Sequence, residues 1–126
     1  MTQWGATSLL VEYEDTFPYT DHFEVARGKF TYTEDFIKKL NSVTKENSIE
    51  VIPYISLFED LDFLLKHAEF KKFRDNSKYT EMVNPLQDDT VTVLTDLVAN
   101  VMRLHPESKS VHIGCRKPMM LARALI

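Results

Sequence analysis

The chain has one cysteine, Cys115, and three glycines, Gly5, Gly28 and Gly114, in 126 residues. A single thiol excludes an intrachain disulfide framework, and nothing in the cysteine usage points to an oxidising compartment. The three scattered glycines exclude a glycine-rich loop that could cradle phosphate. Long hydrophobic runs are also missing. The first apolar stretch, Gly5 to Val11, is cut off by Glu12, which leaves it too short for a signal core or a membrane span, and no basic region precedes it. A soluble intracellular protein, cytoplasmic or nuclear, is expected, with no membrane partner. The 15 Lys and Arg are scattered against 19 Asp and Glu, for a net charge of −4. Without a basic stripe carrying interleaved aromatics, nucleic acid is not an expected partner.

What is present is 44% hydrophobic residues, enough for one core, so residues 1–126 read as a single domain. The apolar run TSLLVEY predicts a strand over about Ser8 to Tyr13, of the kind buried on both faces in a parallel sheet. A long polar and aromatic loop, EDTFPYTDHFEVARGKF, follows; connections of this length are usually functional or mobile. Thr33 caps a predicted helix from Glu34 to Glu46 that turns Phe36, Ile37, Leu40 and Val43 to one side. IEVIPYI is a second strand with one irregular point at Pro53. Asp60 fits the N-cap of a helix over LDFLLKHAEFKKF, burying Leu61, Leu64, Leu65, Ala68 and Phe70 or Phe73. RDNSKYTEMVNP is a loop. The longest helix starts near Asp88 or Asp89, buries Val91, Leu94, Leu97, Val98, Val101 and Met102, and ends before Pro106. SVHIG is the third strand. This alternation of strands and helices defines an α/β fold with parallel strands, either a small open three-layer domain or a piece of a (β/α)8 barrel.

Four stretches, WGATSLLVEYEDTFPY, VIPYISLF, DFLLKHAEF and VHIGC, in this order and at this spacing, resemble the catalytic barrel of the intracellular β-N-acetylhexosaminidases of glycoside hydrolase family 20. The resemblance runs from residue 3 to residue 115. It implies a partial TIM (β/α)8 barrel, family strands two to four with intervening helices, and an activity that removes terminal N-acetylhexosamine from glycoconjugates without metal or organic cofactor. In the family, HIGC is followed by an Asp that orients the substrate's acetamido group and a Glu that protonates the leaving sugar. Here Arg116 and Lys117 stand there. The resemblance ends at Cys115, and a departure from the family reading frame would explain the change. An inactive piece of the barrel is expected, with no catalytic residue of its own. A second departure is Glu59 and Asp60, where the family commonly has Gly and His.

The candidate substrate-binding residues are Glu14, Asp15, Asp60 and His112. Glu12, Glu14 and Asp15 cluster at the end of the first strand, where the resemblance puts a sugar-facing rim; read from the residues alone they are equally a solvated loop entry. His112 points opposite to Val111 and Ile113, inward in a barrel, although a lone strand histidine is more often structural. Tyr13, Phe17, Tyr19 and Tyr54 could stack on a sugar, but aromatics beside strands usually belong to the core. Cys115 reads as a buried, inert thiol. Arg116 and Lys117 could hold a phosphate or carboxylate at a strand end, yet no phosphate cradle accompanies them. The competing class is a non-catalytic α/β binding or interaction module that self-associates through open strand edges.

Overall fold

The structure is a computed structural model that describes residues 5–115. Arg116 and Lys117 lie outside the described residues. The ordered elements are β1 (Ser8–Glu12), α1 (Glu34–Glu46), β2 (Glu50–Ser56), α2 (Asp62–Leu65), α3 (Thr90–Met102) and β3 (His112–Gly114), with 3₁₀ helices over Glu14–Thr16, Asp21–Ala26 and Ala68–Phe73. Among the described residues the strands form one sheet in the order β1-β2-β3, and both pairings are parallel. Helical connections between adjacent parallel strands make this an α/β fold and a sector of a (β/α)8 barrel.

The register, with Leu10 opposite Ile52 and Tyr54 opposite His112, divides the side chains between two faces. Val51, Pro53 and Ile55 point to the helices and are buried. Leu10, Ile52, Tyr54 and His112 share the opposite face. There the expectation of burial on both sides fails for β1, because Leu10 is 52% exposed. In a closed barrel that face is the interior.

Pro53 sits in the central strand, where a missing donor is normally excluded. Donors alternate sides along a parallel strand. The Glu50 N–H bonds Thr7 O towards β1 at 3.0 Å, while the Leu57 N–H bonds Gly114 O towards β3 at 3.1 Å. The Pro53 nitrogen therefore faces the β3 side, where pairing starts only at Tyr54. No ladder bond is lost.

Helix α1 has the expected bounds, and the Thr33 hydroxyl accepts the Phe36 N–H at 3.1 Å. Its buried face differs from the expected one. Ile37 and Thr44 are buried, Leu40 is half-buried, and Phe36 and Val43 are exposed. At the exposed start of the helix Arg103 reaches Glu34 at 2.8 Å, and this hydrogen bond holds the Glu34 carboxyl below the usual carboxylate range.

The connection after β1 is packed. Phe17, Tyr19, Phe23 and Ala26 are buried in the main core with Leu64, Phe70, Leu97 and Val101, because the aromatic residues of this stretch carry enough apolar area to hold it down. In α3, Leu97 and Val101 are buried and Leu94, Val98 and Met102 are half-buried, but Val91 is 73% exposed on the first turn. The single helix expected after Asp60 is divided. His67 is extended, at φ −80° and ψ 148°, and separates α2 from the 3₁₀ helix. Asp60 is not the cap. That position is Leu61, which is fully buried and makes no side-chain capping bond, while Asp60 has φ 59° in the left-handed region. The Leu61 N–H is satisfied by Glu81 O at 3.0 Å, so the returning loop ties down the start of α2.

Candidate functional site

Each strand hands its polar residues to the connection at its C-terminal end, the end where α/β barrels carry their chemistry. After β1 the chain turns sharply through Glu14, at φ 46°. Asp15 is fixed by its backbone: its carbonyl accepts the Gly28 N–H at 2.7 Å and the Thr31 hydroxyl at 3.0 Å. A Cβ at position 28 would lie 2.6 Å from Asp15 Cγ. Glycine is required there because the half-buried Asp15 side chain lies against the backbone of residue 28. The next carbonyl, Thr16 O, accepts the Tyr32 N–H at 2.8 Å. The acidic turn and the segment leading into α1 are thus one hydrogen-bonded unit.

Across the sheet, the rings of Tyr54 and His112 stack with centroids 4.7 Å apart and planes inclined by 21°. Gly114 makes room for this pair, since a Cβ there would lie 2.5 Å from Tyr54 Cζ and overlap the hydroxyl. His112 is exposed and lies on the face of the sheet opposite Val51, Pro53 and Ile55. Between the strand ends, Glu12, Tyr13, Tyr19, Tyr54, Ser56 and Phe63 border a cleft of about 10 Å³, room for one water molecule. Two larger cavities, of about 320 and 340 Å³, share Asn41, Lys45 and Glu107. They lie at the opposite end of the strands, near Thr7, Glu50 and Lys109.

Below the rim the site is anchored by a buried polar pair. His105 is 1% exposed; its Nδ1 lies 3.0 Å from Val101 O and its Nε2 2.9 Å from the Tyr13 hydroxyl. A carbonyl only accepts, so Nδ1 carries the proton and Nε2 accepts from Tyr13. Burial lowers the His105 pKa below its ordinary 6.5, against the opposing pull of the Val101 carbonyl. Burial, reinforced by Tyr32, pushes the Tyr13 phenol up to about 12, and burial also raises Tyr19. Both phenols stay neutral donors. The bond fixes the exit of β1 to the end of α3, 92 residues away.

The sequence candidates fall into two groups. Glu14 and Asp15 share the rim beyond β1, and Tyr54 and His112 share the open face beyond β2 and β3. Asp60 lies in the loop after β2; of the four candidate substrate-binding residues only Glu14 lines the cleft, and Asp15, Asp60 and His112 do not. Tyr13, Phe17 and Tyr19 are core residues, as their setting implied. Cys115 is exposed, contrary to the expectation of a buried thiol, because β3 ends one residue earlier. One polar side chain escaped sequence reasoning, His105, which sits in HPES and reads only as a helix end. Glu59, singled out in the sequence as a departure from the family pattern, has a buried carboxylate oxygen with no hydrogen-bond partner among the described residues. No three His, Cys, Asp or Glu side chains among the described residues are grouped to hold a metal ion. No helix among them is long and apolar enough to cross a membrane.

The fold and the site together define a (β/α)8-type sector with hydrogen-bonding and ring-bearing side chains gathered at the C-terminal strand ends. No protein-family model matches the chain. Over 111 residues, 88% of its length, the chain is 34% identical to hexosaminidase D of Bos taurus and equally to hexosaminidase D of Homo sapiens. The matched stretch is 32% of the bovine protein and 23% of the human one, so the chain spans about a third or less of the curated relatives it matches. Over that stretch it is similar to hexosaminidase D.

Proposed function

We propose that the chain supplies the hexosamine-facing wall of a β-N-acetylhexosaminidase of glycoside hydrolase family 20, and that by itself it turns over no substrate. The observation that carries this reading is the match to hexosaminidase D over a stretch that places Asp15 in the turn after β1 and stacks Tyr54 on His112 across β2 and β3. The ligand is a terminal N-acetylhexosamine of a glycoconjugate. Carboxylates accept its hydroxyl protons, and the Tyr54–His112 pair offers a flat ring surface. The cleft of about 10 Å³ is far below the several hundred Å³ of a typical small-molecule pocket. One wall is supplied.

The chemistry of positions 116 and 117 supports the absence of turnover. Arg116 stays protonated and cannot accept an acetamido N–H, and a lysine near its reference pKa of about 10.4 is a poor proton donor to a glycosidic oxygen at neutral pH. The test is hydrolysis of a chromogenic N-acetylglucosaminide by the natural chain, by the double variant Arg116→Asp with Lys117→Glu, and by bovine hexosaminidase D as positive control. Only the control is expected to act, because the restored carboxyl groups would lack the enclosing walls that hold them to within about 0.5 Å of a productive geometry. Turnover by the double variant above the natural chain would overturn this reading.

Leu10, 52% exposed on the outer strand, favours a second reading in which the chain is an interaction module that pairs through its sheet. An exposed lone thiol at Cys115 fits a reducing, intracellular compartment.

A further inference from the structure

We infer that Tyr32 and Phe36 form a stacking platform for a second sugar ring, next to Asp15, so that the ligand is at least a disaccharide. The inference rests on the hexosamine-binding reading and adds a subsite to it. The two rings are nearly parallel, with centroids 4.6 Å apart and planes 13° apart. They are nevertheless 42% and 47% exposed, and Phe30, two residues earlier, is 77% exposed. Three exposed aromatics within seven residues are a costly way to build a solvated surface.

The pair is preorganised. Tyr32 lies just before the Thr33 N-cap and Phe36 in the first turn of α1, and the Thr33 hydroxyl fixes the start of that turn through the Phe36 N–H. The Tyr32 N–H is bonded to Thr16 O, one residue beyond Asp15, and Thr31 is bonded to Asp15 O. The platform therefore keeps a fixed relation to the acidic turn.

Asp15 makes the surface specific. Its carboxylate is half-buried against Gly28 and has no hydrogen bond or ion pair with any described residue. An acceptor with unused capacity on the turn to which the exposed rings are hydrogen-bonded through the backbone matches a sugar, whose hydroxyls donate around the ring edge while its C–H face carries the weak positive charge that an aromatic face attracts. A purely apolar partner would leave the Asp15 carboxylate desolvated and unpaired. A cationic partner would favour the carboxylate but is opposed by Lys29, whose ammonium lies 5.5 Å from the centre of the Phe30 ring.

The experiment is an NMR titration of the full chain, following backbone amides and aromatic ring signals, with N-acetylglucosamine and with N,N′-diacetylchitobiose. The disaccharide should shift Tyr32, Phe36 and the amides around Asp15 saturably, while the monosaccharide, reaching one element at a time, should not saturate. Phe36→Leu keeps an apolar side chain but loses the ring, and should weaken the disaccharide about five- to tenfold; Phe36→Tyr should restore it. Phe36 is exposed, so an unchanged melting temperature separates this loss from unfolding. Shifts confined to Asp15, Tyr54 and His112 would overturn the platform and leave the hexosamine wall standing. No shift anywhere would overturn both. Equal binding by the Phe36→Leu variant, or shifts at Tyr32 and Phe36 that follow protein concentration without sugar, would assign the patch to apolar contact with another polypeptide and sink the proposal.

Discussion

His105 should make the stability of this fold fall on mild acidification, before carboxylates begin to titrate. The imidazole is 1% exposed and its two nitrogens are already committed, Nδ1–H to Val101 O and Nε2 to the Tyr13 hydroxyl. Protonating Nε2 turns an acceptor into a donor, so the Tyr13 hydroxyl must stop donating to it and can only accept, and the new charge is buried. The folded-state pKa is depressed below 6.5, so as the pH falls the unfolded chain takes up the proton first. Stability from this site is complete above about pH 6.5 and is lost as pH falls towards the folded-state value, at about 1.4 kcal/mol per pH unit. That is a sizeable part of the 5–15 kcal/mol that ordinary domains have. Urea unfolding followed between about pH 8 and pH 5 reads the slope directly, as a shift in midpoint at constant m. His105→Gln is the comparison, because it can still accept from Tyr13 but does not titrate; its stability should change little over the same interval. Parallel pH profiles for the two proteins would refute the reasoning.

Two further outcomes follow from the sheet. Gly114→Ala should destabilise by about 1–3 kcal/mol through overpacking, since the new Cβ would meet the Tyr54 ring within 2.5 Å; in a double-mutant cycle by urea denaturation, Tyr54→Ala should remove most of that extra cost, and strict additivity would show that the two do not touch. Sedimentation of the natural chain should show concentration-dependent association through the open face, weakened by Leu10→Lys. A monodisperse monomer at all concentrations would argue against an interaction surface there.

The strands and α1 were legible because they depend on local pattern: SLLVE is a short apolar run, EVIPYIS a β-branched one, and Thr33 with Glu34 and Asp35 marks a helix start within four residues. The errors arose where distant chain decides local structure. Asp60 looks like a cap in its own neighbourhood, but α2 starts one residue later and the N-cap position falls to Leu61, whose N–H is held by Glu81, twenty residues on. Leu10 and Val91 read as core because they are apolar, while their exposure depends on which elements cover each face. In the site, Asp15 could be picked out by its charge at a strand end. The reason it is held there could not, because it needs Gly28 and Thr31 folded back upon it. His105 had no signal at all, since a partner 92 residues earlier leaves no trace in spacing.

The position of Pro53 also limits how the sheet can go wrong. Parallel strands can shift by two residues without changing which side chains face inward, so the face pattern alone would let β3 slide towards the start of β2. A strand placed there would meet a residue with no N–H to offer. The Val51 carbonyl on the same side is already taken by the Ser108 hydroxyl at 2.7 Å. The lower part of this flank is closed to any intruding strand, whether a slipped β3 or a stretch of another molecule. Zippering on the β3 side is blocked below Tyr54, so growth of a misassembled sheet is directed to the other flank, along β1.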